Sequence, residues 1–247
     1  EGLGSFHINY LSGDSVQLEI TKPMGFQQQY PLPMPVPNGY VLSLDTLTSN
    51  QLEFHVEAGE HSEQALFVTL HVRDKLVFSK SFQPSEENKF NINTSNLPVG
   101  IGILTLFAEN GWPVCERLVF INKEKLPTLN IHALQTTYQK KNPISFELNN
   151  NQNTSTTDLA ISVFQQNRKP SGYFEPNILG NLFFTDFFNP EAINTAFLFS
   201  NSPGSSETLD LVMCTYGWRK FENQTNVKLI THKPFSKPTM AVEGKVS

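Results

Sequence analysis

Short stretches in which apolar and polar residues alternate, separated by turn-forming residues, recur through the first half of the chain. They are SVQLEI (15–20), GYVLSL (39–44), QLEFHVEA (51–58), ALFVTLHV (65–72), DKLVFSKSF (74–82), KFNIN (89–93), GIGILTLFA (100–108) and PVCERLVFIN (113–122). A period of two puts successive side chains on opposite faces of a strand. Strands this short, with polar loops between them, predict an antiparallel β-sandwich. QYPLPMPVPNG (29–39) carries four prolines and predicts an edge or a crossover, because proline donates nothing to a ladder.

NKEKLPTLN (122–130) is a charged, proline-bearing break between two apolar patterns, and the domain boundary is placed there. A second strand set follows, with LNIHAL (129–134), ISFELNN (144–150), DLAISVFQQ (158–166), VKLITH (227–232) and MAVEGKV (240–246) as its members. Between them, from about residue 171 to 221, alternation stops and phenylalanine is frequent. There, SSETLDLVMCTYGW predicts a helix: a serine suits the N-cap, Glu207 suits the positive end, and Gly217 suits the exit. Leu209, Val212, Met213 and Tyr216 fall on one face of it, and EPNILGNLFF predicts a shorter helix. The expected fold class is all-β, as two tandem antiparallel sandwiches over 1–125 and 126–247, the second with a partly helical insertion.

Composition narrows the range of functions. The chain has 247 residues, 38% hydrophobic and only 17% charged, which suits folded domains rich in strands. A formal net charge of −5 without a lysine- or arginine-rich run argues against nucleic acid as a partner. No apolar stretch approaches the roughly 20 residues that span a bilayer. Glu1 stands where a start methionine would, and no signal sequence follows, so the chain is expected to be a piece of a longer protein.

Candidate chemistry is sparse. Cys115 lies on a strand where Cys115, Arg117, Val119 and Ile121 face one way and Val114, Glu116, Leu118 and Phe120 the other. Arg117 is its same-face neighbour, but no histidine is close in sequence to act as a base, so a core-filling thiol is expected. Cys214 is expected on the buried side of its helix. Should strands 51–58 and 65–72 pair, His55 and His71 would lie near each other, although no ligand spacing accompanies them. The carboxylates show no pairing suited to glycoside hydrolysis, and no calcium-loop pattern occurs. No catalytic residue, metal or cofactor is expected.

The aromatic residues of the 171–221 segment are the most unusual feature. Tyr173, Phe174, Phe183, Phe184, Phe187, Phe188, Phe197 and Phe199 fall within it. Two readings follow: an apolar or sugar-stacking surface, or a cap that seals one end of a sandwich, and the cap is favoured. Should a binding surface exist, Trp112, Tyr173, Phe174, Phe187 and Phe188 are its candidate residues.

Three segments together resemble a known family. LPVGIGILTLFAENGWPVCERLVFIN, LAISVF followed by NILGNLFFT, and LDLVMCTYGWRKF are similar to successive motifs of macroglobulin-like domains in large cell-envelope proteins of the Bacteroidetes. The resemblance implies fibronectin-like modules in a periplasmic or outer-membrane-associated protein, often followed by a TonB-dependent-receptor plug-like domain. It implies a non-enzymatic spacer and protein-binding scaffold whose partners are neighbouring domains and envelope proteins or glycans. It also implies structural roles for Gly100, Gly111, Glu116, Arg117, Trp218 and Arg219. The Cys-Gly-Glu-Gln thioester of broader macroglobulins is missing from the sequence, so thioester chemistry does not transfer to either cysteine.

Overall fold

A computed structural model describes residues 3–8, 15–22, 29–34, 36–59, 64–84, 88–127, 129–133, 137–150, 161, 178–185, 187 and 193–216. Apart from Ile161, the expected strands 158–166, 227–232 and 240–246 lie outside the described residues, as do Tyr173, Phe174, Phe188, Trp218 and Arg219.

The alternating stretches form the strands expected of them: β3 (Tyr40–Leu47), β4 (Gln51–Ala58), β5 (Leu66–Val72), β6 (Lys75–Phe82), β7 (Lys89–Asn93), β8 (Gly100–Ala108) and β9 (Pro113–Ile121). They make two antiparallel sheets, ordered β3-β4-β7 and β6-β5-β8-β9. Leu52, Phe54 and Val56 of β4 meet Leu66, Val68, Leu70 and Val72 of β5 in the core between the sheets. Each set occupies every second position, so one face of each strand is buried as the alternation requires. The fold is an all-β antiparallel sandwich over this region. The proline-rich stretch contributes a short exposed strand, β2 (Gln29–Pro31), paired with β1 (Gln17–Glu19). Beyond the sandwich, β10 (Leu129–Ala133) and β11 (Phe146–Asn150) form a separate two-stranded ladder.

Two turns show how local sequence sets the hairpins. Between β8 and β9, Gly111 has φ 80° and the Asn110 side chain accepts from the Trp112 amide, the turn expected of Asn-Gly. Between β5 and β6 the two turn residues are Arg73 (φ 49°) and Asp74 (φ 60°). Tight hairpins require such left-handed pairs, usually from glycine or asparagine, and side chains there cost on the order of 1 kcal/mol each.

β3 contains a bulge between Leu44 and Thr46. Tyr40, Leu42 and Leu44 face the core at intervals of two, and the extra residue Asp45 resets the alternation so that Leu47 also turns inward.

Three helices follow: α1 (Ile178–Phe184), α2 (Thr195–Leu198) and α3 (Ser205–Tyr216). Sequence periodicity assigned them to an insertion in a second module. They pack instead on the outer face of the four-stranded sheet, where Ile101, Leu118 and Phe120 share a second core with Phe183, Phe184, Ile193, Leu198, Leu209, Val212 and Met213. α1 and α2 approach closely at Gly180, where a Cβ would come within 2.7 Å of the Thr195 Cγ2. Strands β8 and β9 are therefore buried on both faces at this end.

Candidate functional site

Phe120 sits at the centre of the second core. Its ring meets Phe183 edge-on at 5.2 Å and Phe199 at 5.2 Å, and Phe199 stacks on Phe184, also at 5.2 Å. Edge-to-face and offset geometries at these distances are the favourable ones for aromatic pairs. Phe187 is half-buried against the same cluster. The described phenylalanines of the segment thus seal a helix–sheet joint, and that joint lies on the first sandwich.

Polar contacts fix α3 against the edge strand β9. Arg117 donates from Nη2 to both oxygens of Asp210, each at 2.9 Å, and Nη1 contacts the Cys214 sulfur. Near the start of α3, Lys123 Nζ donates to Ser205 Oγ at 2.8 Å, and that hydroxyl donates to the Ser200 carbonyl. Partial burial pushes the Lys123 ammonium below its usual range, against the opposing pull of Glu124 and Glu207. Ser205 therefore ties the loop before α3 to the turn that follows β9 through these two contacts.

Both cysteines are free thiols. Cys115 is half-buried against the inner core, and burial raises its pKa, with weaker lowering by backbone hydrogen bonds at Leu42 and Glu116. Cys214 was expected on the buried face of its helix but is exposed, because Leu209, Val212 and Met213 already fill the contact with the sheet. Partial desolvation of its sulfur raises its pKa too, outweighing Arg117. Neither thiol has the lowered pKa that marks a reactive cysteine.

The condition that would bring His55 and His71 together is not met, because β4 and β5 belong to opposite sheets. His55 instead lies between two carboxylates, with Nδ1 2.7 Å from Asp45 Oδ1 and Nε2 3.0 Å from Glu57 Oε1. Hydrogen bonds to Glu57 and then Asp45 raise its pKa. The two carboxylates address opposite ring nitrogens, so they do not converge on a point where a cation could sit. Among the described residues no group of three or more His, Cys, Asp or Glu side chains is arranged to hold a metal.

Open surfaces remain among the described residues, including a groove of about 520 Å³ bordered by Arg73, Leu182 and Phe187. On the outer face of the sheet, away from the helices, Phe67 and Phe107 are register partners with centroids 6.4 Å apart. They line a shallow groove of about 420 Å³ whose floor includes Thr69, a buried residue whose hydroxyl has no partner. Trp112, 44% exposed, belongs to the turn at the edge of this groove. Sequence reasoning singled out Trp112 and missed Phe67 and Phe107, which its alternation placed on the outer face.

A larger surface is a cleft of about 590 Å³ between β3 and α3. Leu44, Asp45, Thr46, Leu47 and Thr48 form one wall; Ser206, Glu207, Leu209, Asp210 and Leu211 form the other; Phe120, Asn122, Lys123 and Glu124 lie between, and Ser5 also borders it. No residue here was expected to bind anything, since the cleft joins segments about 160 positions apart. Among the described residues, no helix is long and apolar enough to cross a membrane. No protein-family model matches the chain, and no curated protein is similar to it at a meaningful level.

Proposed function

We propose that this chain is a non-enzymatic spacer and protein-binding scaffold within a larger envelope protein, of the macroglobulin-like kind its sequence motifs resemble, placed in the periplasm or at the outer membrane. The observation that carries this reading is the double burial of the four-stranded sheet, with one core against the facing sheet and another against α1–α3. A sheet clamped between two packed layers resists bending, because close-packed interiors are poorly compressible. The Arg117–Asp210 pair adds a polar tie between sheet and helix. Neighbouring domains would thereby be held apart at fixed geometry, with strand edges and loops offered to protein partners.

Exchange of the chain, inside its parent protein, for an unrelated sandwich of equal length tests the spacer role. Export and activity of the parent should persist with the replacement and fail when the segment is deleted. Equal function with and without the segment would overturn the reading.

A glycan-binding or adhesin role is the second reading, favoured by one observation: Trp112 and Phe67 are 44% and 40% exposed beside the groove over Thr69. Exposed rings provide stacking faces for sugars. A glycan array should then report binding that Trp112→Ala removes; an array without a binder, or binding unchanged in the variant, speaks against it.

A further inference from the structure

β3 is an edge strand, and the direction of its backbone groups follows from two hydrogen bonds. The Val56 amide donates to Asn88, so Leu52, Phe54 and Val56 turn their backbone groups toward β7. Their register partners on β3 are Leu47, Leu44 and Leu42. The amides and carbonyls of these three leucines therefore face away from β4. The Thr48 amide, which donates to Gln51, fixes the same phase independently.

Leu42 is met from outside by β9, where its amide donates to the Cys115 sulfur. Further along β3, Leu44 and Leu47 on either side of the bulge line the cleft. Four residues of β3, about 13 Å of strand, make one wall of it together with Thr48. α3 stands opposite, leaving a slot with a strand edge on one side and a helix on the other. Unpaired strand edges are templates for another extended chain.

Charge defines what enters. Four carboxylates border the cleft, from Asp45, Glu124, Glu207 and Asp210, against the single ammonium of Lys123. Asp210 is neutralised by Arg117, and Lys123 is engaged by Ser205 and Ser206. Glu124 and Glu207 are exposed, act electrostatically on the Lys123 ammonium, and among the described residues neither is in a close salt bridge.

We propose that the cleft between β3 and α3 is a docking site for an extended, basic polypeptide segment, which adds to β3 through the backbone groups of Leu44 and Leu47 and meets Glu124 and Glu207 with its positive side chains. This is recognition by strand addition, in which main-chain hydrogen bonds provide affinity and flanking groups provide selectivity. It rests on the protein-binding half of the function proposed above and leaves the spacer half independent.

The test uses the whole 247-residue chain, isotope-labelled, titrated with a decapeptide that alternates lysine and valine. Saturable shifts should centre on the amides of Leu44, Leu47 and Glu207. Methylating alternate peptide nitrogens should weaken binding about ten-fold or more, the effect of losing roughly two backbone hydrogen bonds. The double variant Glu124→Gln/Glu207→Gln should bind the unmodified peptide several-fold more weakly and with a flatter dependence on salt. Equal binding of the methylated peptide would reduce the effect to charge alone and overturn the proposal. So would shifts centred on Phe67 and Phe107, or none at Leu44 and Leu47. Such a failure would leave the module-exchange result untouched, so the two readings fail separately.

Discussion

Arg117 and Asp210, 93 positions apart, meet through a single guanidinium nitrogen that donates to both carboxylate oxygens at 2.9 Å. The arginine side chain is only 14% exposed and the aspartate 38%, so the pair is partly screened. Asp210→Ala would leave a largely buried cation without its counter-ion. We expect a loss of roughly 1–2 kcal/mol, below that of a fully buried pair. Urea denaturation of Asp210→Ala, Arg117→Ala and the double variant would measure the coupling, and additive losses would show that the two residues do not interact.

Phe184 is fully buried and stacks on Phe199, whereas Leu182 in the same helix is 65% exposed. Phe184→Ala should cost about 3–5 kcal/mol, and Leu182→Ala should stay within about 0.5 kcal/mol of the parent. Hydrogen exchange in the Phe184 variant should quicken at Leu118 and Phe120 before it quickens in β4. Parent-like stability for Phe184→Ala would mean that the helices add nothing to the sheet.

The raised pKa of His55 links stability to pH. Imidazolium is favoured in the folded state by Glu57 and Asp45, so its contribution is complete below the unfolded value of about 6.5. It fades as pH rises through the higher folded value. A proton-resolved titration of His55 should give a midpoint above that of a free histidine, and His55→Gln should flatten the stability profile in this window. A midpoint at or below the free value would contradict the geometry.

Differential alkylation separates the two thiols. Cys214 is exposed and Cys115 half-buried, while both have pKa values raised by burial. Iodoacetamide at neutral pH should modify both slowly, Cys214 first, and Cys115 at an appreciable rate only when denaturant is added. Rapid labelling of Cys115 in the native state would restore it as a candidate nucleophile.

The sandwich was legible because each strand has one buried face, and that burden writes itself into a period of two. β8 and β9 also carried a message that alternation missed: Leu118–Val119–Phe120–Ile121 is unbroken, as a strand covered on both sides requires. α1 and α3 were legible in the sequence and α2 was not, and the partner of all three was hidden, since apolar faces do not name what they cover. Arg117 with Asp210, and Asp45 with His55, bring together residues that no spacing rule connects. The β3–α3 cleft was invisible for the same reason: it belongs to the tertiary arrangement and to no single segment.

The bulge at Asp45 makes β3 tolerant of a change in length at that one position. Removing Asp45 would restore strict alternation, with Thr46 still outward opposite Glu53 and Leu47 still inward opposite Leu52, whereas replacing it withdraws the carboxylate that meets His55. Descent from a common ancestor could therefore gain or lose a residue here without unseating the core leucines, while the His55 contact depends on the residue being acidic.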